Sequence, residues 1–176
     1  MNSGISNLIL KAEPPWICLA TRNVASILRQ ALQLSFPSNG RIAVRWLRGS
    51  KMRGTKGLFD EFSAALQFPY YFGENWNAFD ECIEELEGID ADGYLLIILN
   101  SDELLVDTED PEVEIEHLFS KLSYAGEEWA KPINQGSSSD RPSKSFHVIL
   151  HVDETKASAF RNRLEGAGLV LPEIPN

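Results

Sequence analysis

The stretch Leu66–Glu87, LQFPYYFGENWNAFDECIEELE, decides how the rest of the chain is read. Leu58, Phe59, Phe62, Ala65 and Leu66 repeat at helical intervals, so a helix is expected over about Lys56–Gln67, with Pro69 stopping it. Tyr70, Tyr71, Phe72 and Gly73 make an aromatic loop. From Asn75 to about Glu87 a second helix follows, with an apolar stripe of Trp76, Phe79, Ile83 and Leu86 and with Cys82 beside it. Asn77, Asp80, Glu81, Glu84 and Glu85 occupy the opposite side. One flank is core and the other is bare carboxylate.

Working downstream, Gly88–Gly93 is a turn, and Tyr94–Leu99 is a β-rich run apolar on both faces, as an interior parallel strand is. Ser101, Asp102 and Glu103 resemble a helix start, completed as a short turn by Leu104–Val106. A longer helix is predicted from Pro111 to about Trp129, with Asp110 ahead of it and Val113, Ile115, Leu118, Phe119 and Leu122 inward. His117 lies within it, among glutamates with which it is expected to interact. Asn134–Ser145 is rich in Ser, Gly and Pro and reads as a mobile loop. Phe146–Val152 is a last strand, and Glu154–Ala167 a closing helix ended by Gly168.

Upstream, Ile42–Leu47 alternates apolar residues with Arg41, Arg45 and Arg48, which suits a half-buried strand. Trp16–Ala20 reads as a short strand. Thr21 then stands before Val24, Ile27, Leu28, Ala31 and Leu32 at helical spacing, and Phe36–Gly40 is a loop. Strands separated by helices, without hairpin signals, imply an α/β fold: a small parallel sheet of three to four strands with helices packed on it. Residues 1–40 look like an N-terminal extension of one strand and one helix, and residues 41–176 like the main unit.

The 176 residues carry 16 Lys and Arg against 26 Asp and Glu, a net charge of −10. Their distribution says more: Gly57–Ser120 holds no Lys or Arg and 18 acids, while the remainder holds all 16 basic residues and 8 acids. Repulsion among so many like charges opposes compactness, so the concentration needs an offsetting use, such as steering a basic partner. Phosphates would be repelled, which argues against nucleic acid as a ligand.

No apolar run is long enough to span a bilayer, and the N-terminus lacks the pattern of a secretory signal; a cytoplasmic protein with no membrane partner is expected. Cys18 and Cys82 stand far apart, without zinc spacing, as buried reduced thiols. His147 and His151 would sit about 13 Å apart on an extended strand, too far to share a metal. No phosphate loop or nucleophile elbow is present. Paired carboxylates such as Glu81 with Asp80 or Glu84 would share one solvated helix face, giving them similar surroundings where acid-base catalysis needs different ones. No enzyme activity, metal or cofactor is expected.

The run from Leu66 to Phe79 closely resembles the barstar family's pattern of helix, Pro, aromatic loop, Gly-Glu-Asn and second helix. The order of elements to Val152 is similar too. The resemblance implies an intracellular inhibitor that occludes the active site of a basic ribonuclease or nuclease toxin, an immunity protein acting as a monomer. It implies a partner-binding surface of Tyr71, Gly73, Asn75, Trp76, Asn77, Asp80, Glu81 and Glu84. Glu81 falls at the family's main hot-spot carboxylate, and Tyr71 and Asn75 match interface positions. Asp80 stands in place of a tryptophan, Asn77 in place of an aspartate, and Lys121 in place of an acidic contact. Periodicity puts Trp76 inward, whereas the resemblance puts it at the rim. Two other readings stand beside this one: a barstar-fold interaction module with a non-nuclease partner, and a small hydrolase using the acidic cluster.

Overall fold

The strand at the centre of the fold, β3 (Gly93–Leu99), is flanked on both sides by parallel partners. β2 (Ile42–Arg48) aligns Ile42 with Gly93 and Arg48 with Leu99, and β4 (Ser145–His151) aligns Ser145 with Gly93. β1 (Ile17–Ala20) pairs with the far side of β4, giving one sheet in the order β1-β4-β3-β2. Gly93 sits where β2, β3 and β4 crowd: a Cβ there would lie 2.3 Å from Ser145 Oγ and 2.9 Å from Ile42 Cδ1. Only glycine fits that approach. The computed structural model describes residues 8–21, 26, 27, 29, 41–136 and 140–174.

Both sheet faces are covered. On one, Tyr94, Leu96, Ile98, Val148 and Leu150 join the main core with helices α1 (Thr55–Leu66), α2 (Trp76–Glu85) and α3 (Pro111–Ala130). Helix α4 (Glu154–Gly166) adds Ala157, Phe160 and Leu164 to the same core. On the other, Leu95, Ile97, Ile149 and Ile42 lie under Ile9, Ile27 and Ile174. Alternation along β3 therefore feeds two apolar layers, which is why its sequence shows no polar face.

The upstream residues are knit into this sheet. The aromatic rings of Trp16 and His147 lie 5.6 Å apart, and Trp16 packs so closely on α3 that a Cβ on Gly126 would come within 2.5 Å of its ring. His147 is buried in β4, its Nδ1 3.1 Å from the Pro15 carbonyl and its Nε2 2.8 Å from that of Lys11. The C-terminal segment lines the outer edge of β1, with the Leu19 N–H donating to Pro172 O and Ile174 N–H to Leu19 O.

The elements match expectation to within a residue or two, with four differences. Val113, expected inward, is 58% exposed, because it stands in the first turn of α3 on the side away from Ile115, Leu118 and Leu122. α2 ends at Glu85 because Leu86 turns left-handed (φ 41°, ψ 41°). The Ser- and Pro-rich loop is anchored: Ile133 and Arg141 form an antiparallel bridge, and the Arg141 guanidinium lies 4.4 Å over the Trp129 ring while donating to the carbonyls of Glu128, Trp129 and Lys131. His117 packs its ring on Trp76, centroids 4.7 Å apart, where contact with glutamates was expected. Of the helix expected behind Thr21, Val24, Leu28, Ala31 and Leu32 lie outside the described residues, as does the loop at Phe36–Gly40. Among the described residues no helix is long and apolar enough to cross a membrane.

Candidate partner-binding face

The aromatic loop divides its rings between core and solvent. Phe68 and Phe72 face each other at 5.1 Å and reach Phe79 and Phe59 respectively, so the loop is pinned from below. Tyr70 is fully exposed and Tyr71 is 65% exposed, their rings 5.5 Å apart. Gly73 is exposed at the loop's end. Asn75 closes the loop and starts α2: its side-chain oxygen accepts the Ala78 N–H at 3.0 Å and its Nδ2 donates to Gly73 O at 3.0 Å. Oδ1 of Asn75 thus caps the helix while Nδ2 ties it to the loop.

α2 is fixed to the body by Phe79, Cys82 and Ile83, all buried, and by the Trp129 indole N–H, which donates to Ile83 O at 2.9 Å. Trp76 is half-buried between Phe59, 5.1 Å away, and His117. It packs inward, as periodicity expected, and stays partly exposed. Asn77, Glu81 and Glu85 are exposed along the outer side, while Asp80 and Glu84 are half-buried toward α3.

These carboxylates do not share one environment, contrary to expectation. Lys121 Nζ meets Asp80 Oδ2 at 2.6 Å, with side-chain exposures of 14% and 32%. Burial first, then the charges of Asp80, Glu128 and Glu85, push the Glu84 carboxyl above its ordinary range, with Lys121 pulling the other way. Glu81 stands in solvent with no ion pair among the described residues.

The rest of the acidic segment is partly neutralised by folding. Arg41 pairs with Asp90 and Asp92, Arg48 with Glu61, Arg53 with Glu103 and Asp107, Lys56 with Asp60 and Glu74, and Lys156 with Asp102. Within Gly57–Ser120, the acids without a basic partner within 4.0 Å among the described residues fall in two places. Glu109, Asp110, Glu112, Glu114 and Glu116 gather at the start of α3, where Asp110 caps the Val113 N–H and the helix dipole favours negative charge. Glu81, Glu84, Glu85 and Glu87 gather at the end of α2, where the dipole disfavours it and no basic residue occupies the last turn. The first group has a structural use. The second has no basic partner within 4.0 Å among the described residues.

Among the described residues no group of three or more His, Cys, Asp or Glu is arranged to hold a metal. Cys18 and Cys82 are free thiols, and burial pushes Cys18 up to about 11.

An acidic helix of this kind, launched by an aromatic loop and laid on a parallel sheet, coincides with a match to the family model described as Barstar (barnase inhibitor) over residues 42–151. The chain belongs to the barstar family. No curated protein matches it. Among solved structures, the barstar-family chain is similar to the ORC2 protein of Aeropyrum pernix, at 11% identity and a TM-score of 0.56, covering 96% of this chain and 45% of that one. It is also similar to a chain of the Drosophila ORC bound to AT-rich DNA and Cdc6, at 15% identity and a TM-score of 0.47, covering 96% and 50%. The chain spans about half the length of these structures, and the likeness is one of fold alone.

Of the residues that the resemblance singled out, Tyr71 and Gly73 lie on the loop, Asn75 caps α2, and Trp76, Asn77, Asp80, Glu81 and Glu84 follow along α2, with Trp76 turned to Phe59 and His117, and Asp80 to Lys121. Glu85 and Glu87, beyond the positions that the resemblance supplied, complete the charged end. Their signal was present in the sequence as acids clustered at a helix C-terminus.

Proposed function

We propose that this barstar-family chain inhibits a basic ribonuclease or nuclease toxin by occluding its active site, as a cytoplasmic, monomeric immunity protein. The observation that carries the proposal is the set Glu81, Glu84, Glu85 and Glu87, which has no basic side chain within 4.0 Å among the described residues and stands at the negative end of a core-anchored helix. Such an arrangement costs stability in the free protein and is offset when a cationic cleft receives it. A nuclease active site is cationic because it holds phosphate, and carboxylates on a rigid helix take the place of phosphate there. Tyr71, exposed on a loop whose Phe68 and Phe72 rings pack together, is the aromatic contact beside them. Gly73, Asn75, Trp76, Asn77 and Asp80 complete the proposed surface, Asn75 by holding the loop and helix together. Inhibition follows from occlusion, with no catalytic group required.

In this proposal residues 41–176 form the barstar-type unit and residues 1–40 an extension. The family match beginning at residue 42 supports that division, and the pairing of β1 with β4 makes the extension an integral layer.

The test is titration calorimetry and ribonuclease inhibition with barnase and with any nuclease encoded beside the gene. Glu81→Ala is expected to weaken binding by about 2 kcal/mol or more, a hot-spot range that itself includes the barnase–barstar complex. Association should slow as salt rises. Binding indifferent to Glu81→Ala would refute the assigned face.

One observation favours a second reading, a non-nuclease protein partner. Lys121, neutralising Asp80, fixes a cation in the middle of the face. Affinity capture that returns a partner without nuclease activity would select it.

A further inference from the structure

The two edges of the sheet differ. At β1 the C-terminal segment fills the edge, through the Leu19 N–H to Pro172 O at 2.9 Å and the Ile174 N–H to Leu19 O at 3.0 Å. At β2 no strand lies on the side away from β3 among the described residues. Along a parallel strand, the N–H and C=O of one residue point to one side and those of the next to the other. The Arg41 carbonyl accepts the Asp92 N–H at 2.8 Å, so the odd-numbered residues of β2 address β3. The even-numbered residues address the open side: the Arg48 N–H donates to Glu61 Oε1 at 2.9 Å, and the Val44 carbonyl accepts from Arg45 Nη1 at 3.1 Å. The N–H groups of Val44 and Trp46 and the Trp46 carbonyl have no partner among the described residues.

Such an edge is a template for a further strand, and the flanking side chains set which strand it suits. On the face toward Ile97 and Ile149, Val44 and Trp46 are only partly buried, leaving apolar surface at the edge. On the other face, an open trough of about 240 Å³ runs between Arg41, Ala43 and Arg45 on one side and Ile89, Asp90 and Ala91 on the other. Arg41 is neutralised by Asp90 and Asp92, and Arg48 by Glu61. Arg45 has no acid within 4.0 Å among the described residues and turns back on the Val44 carbonyl. A second copy is a poor occupant: full antiparallel pairing of two β2 strands sets Arg45 opposite its own copy, and like charges across a ladder destabilise it. An extended segment with a carboxylate opposite Arg45 gains a charge pair, frees the Val44 carbonyl for the new ladder and lays its alternate, apolar side chains on Val44 and Trp46.

We infer that the outer edge of β2 is a docking site for an extended segment of a protein partner, acidic where it meets Arg45 and apolar at the neighbouring positions. This edge shares no residue with the proposed face on α2, so it stands or falls separately from the inhibitor reading.

The test uses the full chain, isotope-labelled, and three peptides: N-acetyl-Val-Glu-Val-Glu-Val amide, its lysine counterpart, and the acidic peptide N-methylated at every amide so that it cannot extend a ladder. In the free chain the amides of Val44 and Trp46 should exchange with solvent faster than those of Arg45 and Leu47, which address β3. The acidic peptide is expected to shift Val44 and Trp46 saturably and to slow their exchange, and the other two peptides to leave them in place. Arg45→Gln, whose remaining spectrum reports its fold, should weaken that response by about three-fold, the loss of about one cross-strand charge pair. Val44 and Trp46 as protected as Arg45 before any peptide is added would mean an edge already covered and would overturn the inference. No response to the acidic peptide, or an equal response to its methylated form, would overturn strand addition. Equal binding of the lysine peptide, or indifference to Arg45→Gln, would overturn the acidic partner. Protection that rises with protein concentration alone, together with dimers in sedimentation, would give the edge to a second copy and overturn it as well.

Discussion

Replacing Lys121 by Met keeps the length and apolar stem of the side chain and removes its charge, leaving Asp80 half-buried beside Glu84. A fully buried pair broken on one side costs about 3 to 5 kcal/mol, whereas an exposed pair is worth at most about 1 kcal/mol. With side chains 14% and 32% exposed and the atoms 2.6 Å apart, the pair falls between these limits. The expected loss is about 1 to 2 kcal/mol. For a chain of this size, that lowers the melting temperature by about 2 to 8 °C. The assay is urea and thermal unfolding at neutral pH of Lys121→Met, Asp80→Asn and the double variant. The double variant should recover part of the loss, since it strands no charge, and the cycle should show coupling above about 0.5 kcal/mol. Coupling below that value would refute the view that Asp80 is committed to α3 and would return it to the free acidic flank.

His147 is held below its ordinary range mainly by burial, against the opposing pull of the Lys11 and Pro15 carbonyls. The unfolded chain therefore binds a proton that the folded one resists: stability is full above pH about 6.5 and falls as pH drops toward the folded value. Thermal melts across that window should show the slope, and His147→Gln should flatten it. Asn75→Ala removes the α2 cap and should cost about 1 kcal/mol in urea unfolding, with Asn75→Asp restoring most of it, as a capping role demands. Gly126→Ala drives a methyl into Trp16 and should destabilise by about 1 to 3 kcal/mol, with a change in tryptophan fluorescence. An unchanged melt would mean that Trp16 does not pack on α3.

Local pattern carried much of the fold. The all-apolar run at Tyr94–Leu99 belongs to a strand buried on both faces, and the stripe Phe79, Ile83 with Pro69 ahead of it places α2. Signals of this kind lie within one or two turns of the residues they describe, so they survive without knowledge of the partner surface. At Asn134–Ser145 composition records backbone freedom and not the distant ring: Arg141, on the loop's described C-terminal flank, is anchored by Trp129, which lies on the preceding helix. For the same reason, His117 was assigned to its sequence neighbours, whereas its ring packs on Trp76, on another helix.

The candidate site divides along the same line. That one side of α2 is acidic and the other apolar follows from the order of residues alone, because helical periodicity converts spacing into direction. Which of those acids remain available is a tertiary matter: Lys121 reaches Asp80 across 41 positions, and Arg41 and Arg53 reach acids about 50 positions away. Coulomb attraction depends on distance in space, and chain separation carries no information about it until the sheet and helices have been assembled. That the C-terminal ends of α1 and α2 lie side by side, Leu66 near Leu86, is likewise a product of assembly, since two helix termini become neighbours only when both helices share one core.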